Sequence, residues 1–179
     1  SVSNLSSESS ESSGSSANTC SSPSTSVIWR GERSNATTVA VRGLWSDIKI
    51  IPSTTYPASV YTDAGCSCIR YTYWNGKDWQ TEIVSAGSTT TFTHIRLAYL
   101  STGIPVVVWS NSTTTLQLAI RNTSSLTTEG NWTITNLDTA GTAVRAVDIK
   151  VNPSDQVAIV YARNTAGSSH LILCTSGCS

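Results

Sequence analysis

Three stretches of the chain repeat one order of features at a spacing of about fifty residues, and this repeat limits the fold more than any single motif does. The first runs from Asp47 as DIKIIPSTTYPASVYTDAGCSCIRYTYWNGKDWQTEIVSAG. The second runs from His94 as HIRLAYLSTGIPVVVWSNSTTTLQLAIRNTSSLTTEGNWTITNLDTAG, and the third from Asp148 as DIKVNPSDQVAIVYARNTAGSSHLILC. Each opens on a short alternating run (Ile48/Ile50, Ile95/Leu97, Ile149/Val151), so apolar side chains fall on one face of a strand. A polar turn then leads to an apolar second strand at 57–61, 105–109 or 157–161, and a Gly/Ser/Thr/Asn loop leads to a third at 69–74, 116–121 or 170–174. The first two copies add a fourth strand headed by tryptophan, DWQTEIV and NWTITNL, each followed by Ala-Gly.

No helical apolar period lasts more than a turn or two. The expected fold is therefore all-β, with about three four-stranded antiparallel meander repeats near 47–87, 94–141 and 148–174 inside one domain, 27–179. The third copy ends after its third strand, and a hairpin at 26–41 (SVIWRGERSNATTVAV) is the candidate for the missing fourth. Residues 1–26 hold fourteen serines and two clearly apolar side chains, Val2 and Leu5, too little apolar surface to offset ordering entropy alone. This extension is expected to be ordered by glycans, by a disulfide through Cys20 or by a neighbouring subunit.

Charge excludes two partner classes. Eleven Lys+Arg balance eleven Asp+Glu, and no basic run gives nucleic acid or an anionic membrane a field to follow. Apolar runs such as 104–109 fall far short of the ~20 residues of a spanning helix. The chain starts at Ser1 and contains no methionine, which reads as a mature exported form whose leader has been removed, and an extracellular or cell-surface location is expected.

Cys20, Cys66, Cys68, Cys174 and Cys178 lie in Ser/Thr/Gly-rich surroundings and are the disulfide candidates for an oxidising compartment, with buried free thiols as the alternative. Cys66 and Cys68 lie too close in sequence for an easy mutual bridge along an extended strand, so separate partners are expected for them. Five is odd, which leaves one thiol free or bonded to another chain. Acceptor tripeptides for N-glycosylation stand at Asn4, Asn35, Asn111, Asn122 and Asn131. Neither a metal nor a cofactor is expected: His94 and His170 stand alone, no second Cys/His pair has zinc spacing, and no Cys-x-x-Cys-His occurs.

IRYTYWNGKDWQTEIVSAG with HIRLAYLSTGIPVVVWS, and GNWTITNLDTAG with DIKVNPSDQVAIVYA, resemble blades of bacterial extracellular β-propellers of the sialidase-like and lectin-like kind, over about residues 45–174. The resemblance implies that the first strands, at Ile48, Ile95 and Ile149, line a central channel. Propellers use about 4 to 8 blades and this chain supplies about three. It follows that several chains share a ring, or that the sheets pack as a curved sandwich whose edges pair with neighbours.

Sialidase-like catalysis would bring an arginine cluster, an acid, a tyrosine nucleophile and a Ser-x-Asp-x-Gly-x-x-Trp box. The box is absent, Arg70, Arg96 and Arg121 occupy unmatched repeat positions, and Asp63, Glu82 and Tyr161 have no arguable partner. No catalytic residue is assigned, and the chain is not expected to be an enzyme. Two function classes remain. Carbohydrate binding would use Trp79 and Trp132, equivalent in the repeat, with Arg70 and Trp74 near the Asn75-Gly76 turn; the competing role for Trp79 and Trp132 is packing between repeats. A structural subunit of a filament, pilus-like fibre or surface layer is the leading expectation, with further copies of the chain, another surface protein and glycans as partners. It draws together the incomplete repeat set, the serine-rich extension and the odd cysteine.

Overall fold

The computed structural model describes residues 42–86, 92–111, 115–139, 144–163 and 168–175. The extension 1–26, the hairpin expected at 26–41, and Cys20, Cys178, Asn4 and Asn35 lie outside the described residues. What is described is all-β and falls into three antiparallel sheets. The first holds β1 (Arg42–Ile50), β2 (Pro57–Asp63), β3 (Cys68–Trp74) and β4 (Trp79–Ala86) in that order. The second holds β5 (Phe92–Tyr99), β6 (Pro105–Asn111), β7 (Thr115–Arg121) and β8 (Trp132–Asp138), and the third β9 (Val144–Val151), β10 (Val157–Arg163) and β11 (Ser169–Cys174).

The turns explain why each run folds back on its predecessor. Gly76 at φ 98° and Gly103 at φ 81° take the left-handed conformation that side-chain-bearing residues resist. Asn75 Oδ1 accepts from the backbone N–H groups of Lys77 and Asp78, closing the β3–β4 hairpin, and Asn152 Oδ1 accepts from those of Ser154 and Gln156 between β9 and β10.

The three sheets stack in chain order around two cores. Val60, Tyr71 and Tyr73 of the first sheet meet Leu97, Val107 and Trp109 of the second. From the opposite side of the second sheet, Val106, Val108 and Leu118 meet Ile149, Ile159 and Tyr161 of the third. The middle sheet is buried on both faces, so β6 reads as an unbroken apolar run through Trp109 while β2 alternates. β1 lies against β5 and β5 against β9, whereas β4 scarcely meets β8. The sheets are closest along their first strands and diverge toward their last.

Register shifts one expectation. Ile50, Tyr99 and Val151 pair with Pro57, Pro105 and Val157, the first residues of the second strands. Leu97, not Ile95, is therefore the counterpart of Ile48 and Ile149. A displacement of two residues keeps every side chain on its face, so alternation alone cannot detect it. Its source is that β5 runs two residues beyond Leu97, to Tyr99, before the turn; a bulge between Thr93 and Arg96, with His94 at φ 54°, lies ahead of these paired residues.

Candidate functional site

The densest polar constellation among the described residues joins the first two sheets. Arg121, at the end of β7, is 1% exposed, a position that an arginine occupies when every donor is used. Its Nε and Nη2 bond both oxygens of Glu82 on β4, at 2.9 and 2.6 Å. Nη1 reaches the carbonyls of Thr123 and Ser125 at 2.9 and 2.7 Å, and Nη2 that of Thr128 at 2.7 Å. Glu82 also accepts from the Tyr73 hydroxyl, the Gly130 N–H and the Trp132 indole N–H. Gly130 is required here, because a Cβ would stand 2.7 Å from Arg121 Cγ and 2.8 Å from its Cζ. The arrangement folds the loop between β7 and β8 around one guanidinium and fastens it to the neighbouring sheet.

Chemically this cluster is closed. Glu82 spends its oxygens on five donors, and burial, reinforced by the adjacent Glu82 carboxylate, pushes the Tyr73 phenol up to about 12. Burial also raises Tyr71 and Tyr99, whose hydroxyls bond each other at 2.9 Å. A shallow pocket beside the cluster is lined by Tyr73, Gln80, Glu82, Leu126 and Glu129. A second polar group lies at the other interface, where Tyr161 and Arg163 bond Asp138 and His170 stacks on Tyr161 with ring centroids 5.1 Å apart. Sequence reading left Glu82 and Arg121 without partners because they lie 39 residues apart on different repeats. Arginine at a β-strand end where the other repeat carries Trp74 was the available signal.

The cysteine expectation is corrected at one pair: Cys66 and Cys68 are bonded to each other, with Cα atoms 5.2 Å apart. An extended strand would hold the two residues further apart, but β3 begins at Cys68 and Cys66 sits in the preceding turn, where Ser67 at φ 51° folds the backbone and brings the two Cα atoms together. Cys174 is disulfide-bonded as well. Asp63, Cys66 and Cys68 bring one ligand atom each within 4.8 Å of one another. With the two sulfurs joined, neither is the thiolate that a thiophilic metal takes, and Asp63 is engaged by Arg70 Nε at 2.9 Å and by the Gly65 N–H.

Of the four carbohydrate candidates, only Trp74 and Trp79 are brought together. Arg70 is held by Asp63 at the far end of β3 from Trp74. Trp74 and Trp79 meet edge to face across the hairpin, centroids 5.7 Å apart and both half-buried. Trp132 packs edge to face on Tyr71 at 5.5 Å and donates to Glu82, so this member of the pair serves the junction between sheets. Of the acceptor asparagines, Asn122 and Asn131 are exposed and close the β7–β8 loop, Asn122 Oδ1 accepting from the Asn131 N–H, and Asn111 is half-buried at the end of β6.

Among the described residues, the exposed large apolar side chains lie on the end sheets, apart from Ile134 on β8 of the middle one. Ile48, Ile50 and Ile83 project from the first sheet, and Val160, Leu171 and Leu173 from the third. Among the described residues no helix is long and apolar enough to cross a membrane. No family model, curated protein or solved structure matches the chain.

Proposed function

We propose that the chain is an exported structural subunit of a cell-surface or extracellular assembly, a filament, pilus-like fibre or surface layer, and that it works without catalysis. The observation that carries this reading is the exposed apolar side chains on the two outer faces: Ile48 and Ile50 are 55% and 57% exposed on one end sheet, and Leu171 is 68% exposed on the other. Exposed apolar residues gathered on a sheet face mark contact surfaces, whereas single scattered ones do not. The polar clusters support the same reading, since Glu82, Arg121 and Asp63 are buried in bonds to the protein itself. The fan of sheets, closest at β1, β5 and β9, is compatible with propeller-type blades shared among chains.

The test is self-association of the full chain produced under oxidising conditions, followed by light scattering across a range of concentrations and by electron microscopy. Discrete oligomers or fibres are expected. A chain that stays monomeric at every concentration, with residues 1–41 present or removed, ends the structural reading.

A second reading, a lectin-type module formed by several chains, is favoured by the half-buried Trp74–Trp79 pair beside an exposed turn. It predicts signals on a glycan array that disappear in Trp74→Ala.

A further inference from the structure

Each sheet has a face turned to the sheet before it and a face turned to the sheet after it, and the two faces left over at the ends of the stack are one of each kind. The register identifies them residue by residue. Val60 and Tyr71 are paired on the face that the first sheet turns to the second, and Val108 and Leu118 are paired on the face that the second turns to the third. The corresponding pair of the third sheet is Val160 and Leu171. Val60, Val108 and Leu118 are 0% exposed, while Val160 and Leu171 are 49% and 68% exposed. At the opposite end, Ile48 holds the place that Leu97 and Ile149 hold on backward-turned faces, and it is 55% exposed against 0% and 4%.

A polar device recurs on the first and third sheets, while the middle sheet carries Arg96 at the matching place. Asp47 lies beside Val60 on the forward face and accepts from the N–H of Ile48 with one oxygen. Its other oxygen crosses to the next sheet and accepts from the N–H of Leu97 at 2.9 Å. Asp148 begins the same Asp-Ile-Lys triplet, lies beside Val160, and makes the same local bond to the N–H of Ile149 at 2.9 Å. Asp148 is exposed on a face that no described sheet follows.

We infer that the third sheet of one copy docks on the first sheet of a second copy, so that the stack continues from chain to chain with Asp148 facing the second copy's first strand. The inference rests on the assembly reading above and specifies its contact. A second copy is the occupant because the partner that a forward face accepts, twice within this chain, is a backward face of the same repeat. Among the described residues, the uncovered backward face stands at the other end of a three-sheet stack, fewer sheets than the about four or more with which propellers close. The backward face of the first sheet intersperses Ile48, Ile50 and Ile83 with Ser59, Thr72 and Thr81, a mixed surface suited to a chain that is also free in solution. The contact is heterologous, so it generates a ring where the rotation closes and a fibre where it does not.

The test uses two surface substitutions in the full chain, Leu171→Glu on the forward face and Ile50→Lys on the backward face, with circular dichroism confirming that each variant folds. Each variant alone is expected to lose self-association by at least about tenfold. Mixed one to one, they are expected to form a heterodimer through the intact forward face of Ile50→Lys and the intact backward face of Leu171→Glu. Asp148→Ala is expected to weaken wild-type association without lowering the melting temperature. Assembly of Ile50→Lys at the wild-type level while Leu171→Glu fails would overturn the head-to-tail contact in favour of third sheets pairing with each other. Wild-type assembly by both variants would overturn it while leaving the structural function standing. A monomeric wild type that assembles once residues 1–41 are removed would overturn it by showing that the chain's own N-terminal segment covers a face.

Discussion

At the scale of single residues, the molecule concentrates its polar cost at Glu82 and Arg121. Arg121 is 1% exposed and Glu82 5%, so removing the carboxylate strands a cation away from water. Glu82→Ala is expected to destabilise the protein by about 3–5 kcal/mol in urea unfolding. The double variant Glu82→Ala/Arg121→Met should recover part of that loss, because it removes the stranded charge along with its partner; a double variant as unstable as the single would show that packing, not charge, dominates there. His94 gives a second test at this scale. Burial first, then Arg96 and Arg145, hold its imidazole below the ordinary value of 6.5. The unfolded chain therefore takes up this proton at higher pH than the folded one, so stability falls as pH drops below about 6.5 and levels off once the folded imidazole is also protonated. His94→Gln should flatten that part of a stability-against-pH curve, measured by thermal melts between pH 7.5 and 5. Neither role was legible in the sequence. An ion pair spanning 39 residues and a histidine whose surroundings come from Trp45 and a bulge are products of tertiary packing.

At the scale of elements the sequence is far more informative, because strand and turn signals are local. The second strands begin at Pro57, Pro105 and Val157, where the apolar runs begin, and the tryptophan-led fourth strands begin at Trp79 and Trp132. Turn residues with a mechanism mark the joints. Gly76→Ala puts a side chain at φ 98° and a Cβ 2.7 Å from the Tyr56 hydroxyl, and its melting temperature is expected to fall by about 2–6 °C in calorimetry, while Lys77→Ala beside it should be near neutral. The local signals failed where one residue leaves the extended backbone and where a strand slides by an even number of residues. Ser67 at φ 51° lets Cys66 and Cys68 meet, and a two-residue displacement of the first strand leaves its apolar pattern unchanged. A non-glycine residue in the left-handed region announces itself only through its neighbours' geometry.

At the scale of the whole described molecule, three sheets share two cores through one middle sheet, and this predicts how the fold comes apart. Trp109 and Val107 of β6 face the first core while Val106 and Val108, interleaved on the same strand, face the second. Losing either neighbour exposes one side of β6, so neither outer sheet can leave without undercutting the other interface. Asp47 to Leu97 and Asp155 to Ser101 add a backbone-directed bond across each junction. Trp109→Ala in the first core and Leu118→Ala in the second are each expected to lower stability by about 2–5 kcal/mol while preserving a single urea transition. The probes separate the alternatives cleanly: every described tryptophan lies in the first two sheets, whereas far-ultraviolet dichroism reports all three. Coincident transitions by both probes in Leu118→Ala are expected. An early dichroism phase with tryptophan fluorescence unchanged would mean that the third sheet unfolds alone, and that its outward face is presented by a separable module rather than by the end of a continuous stack.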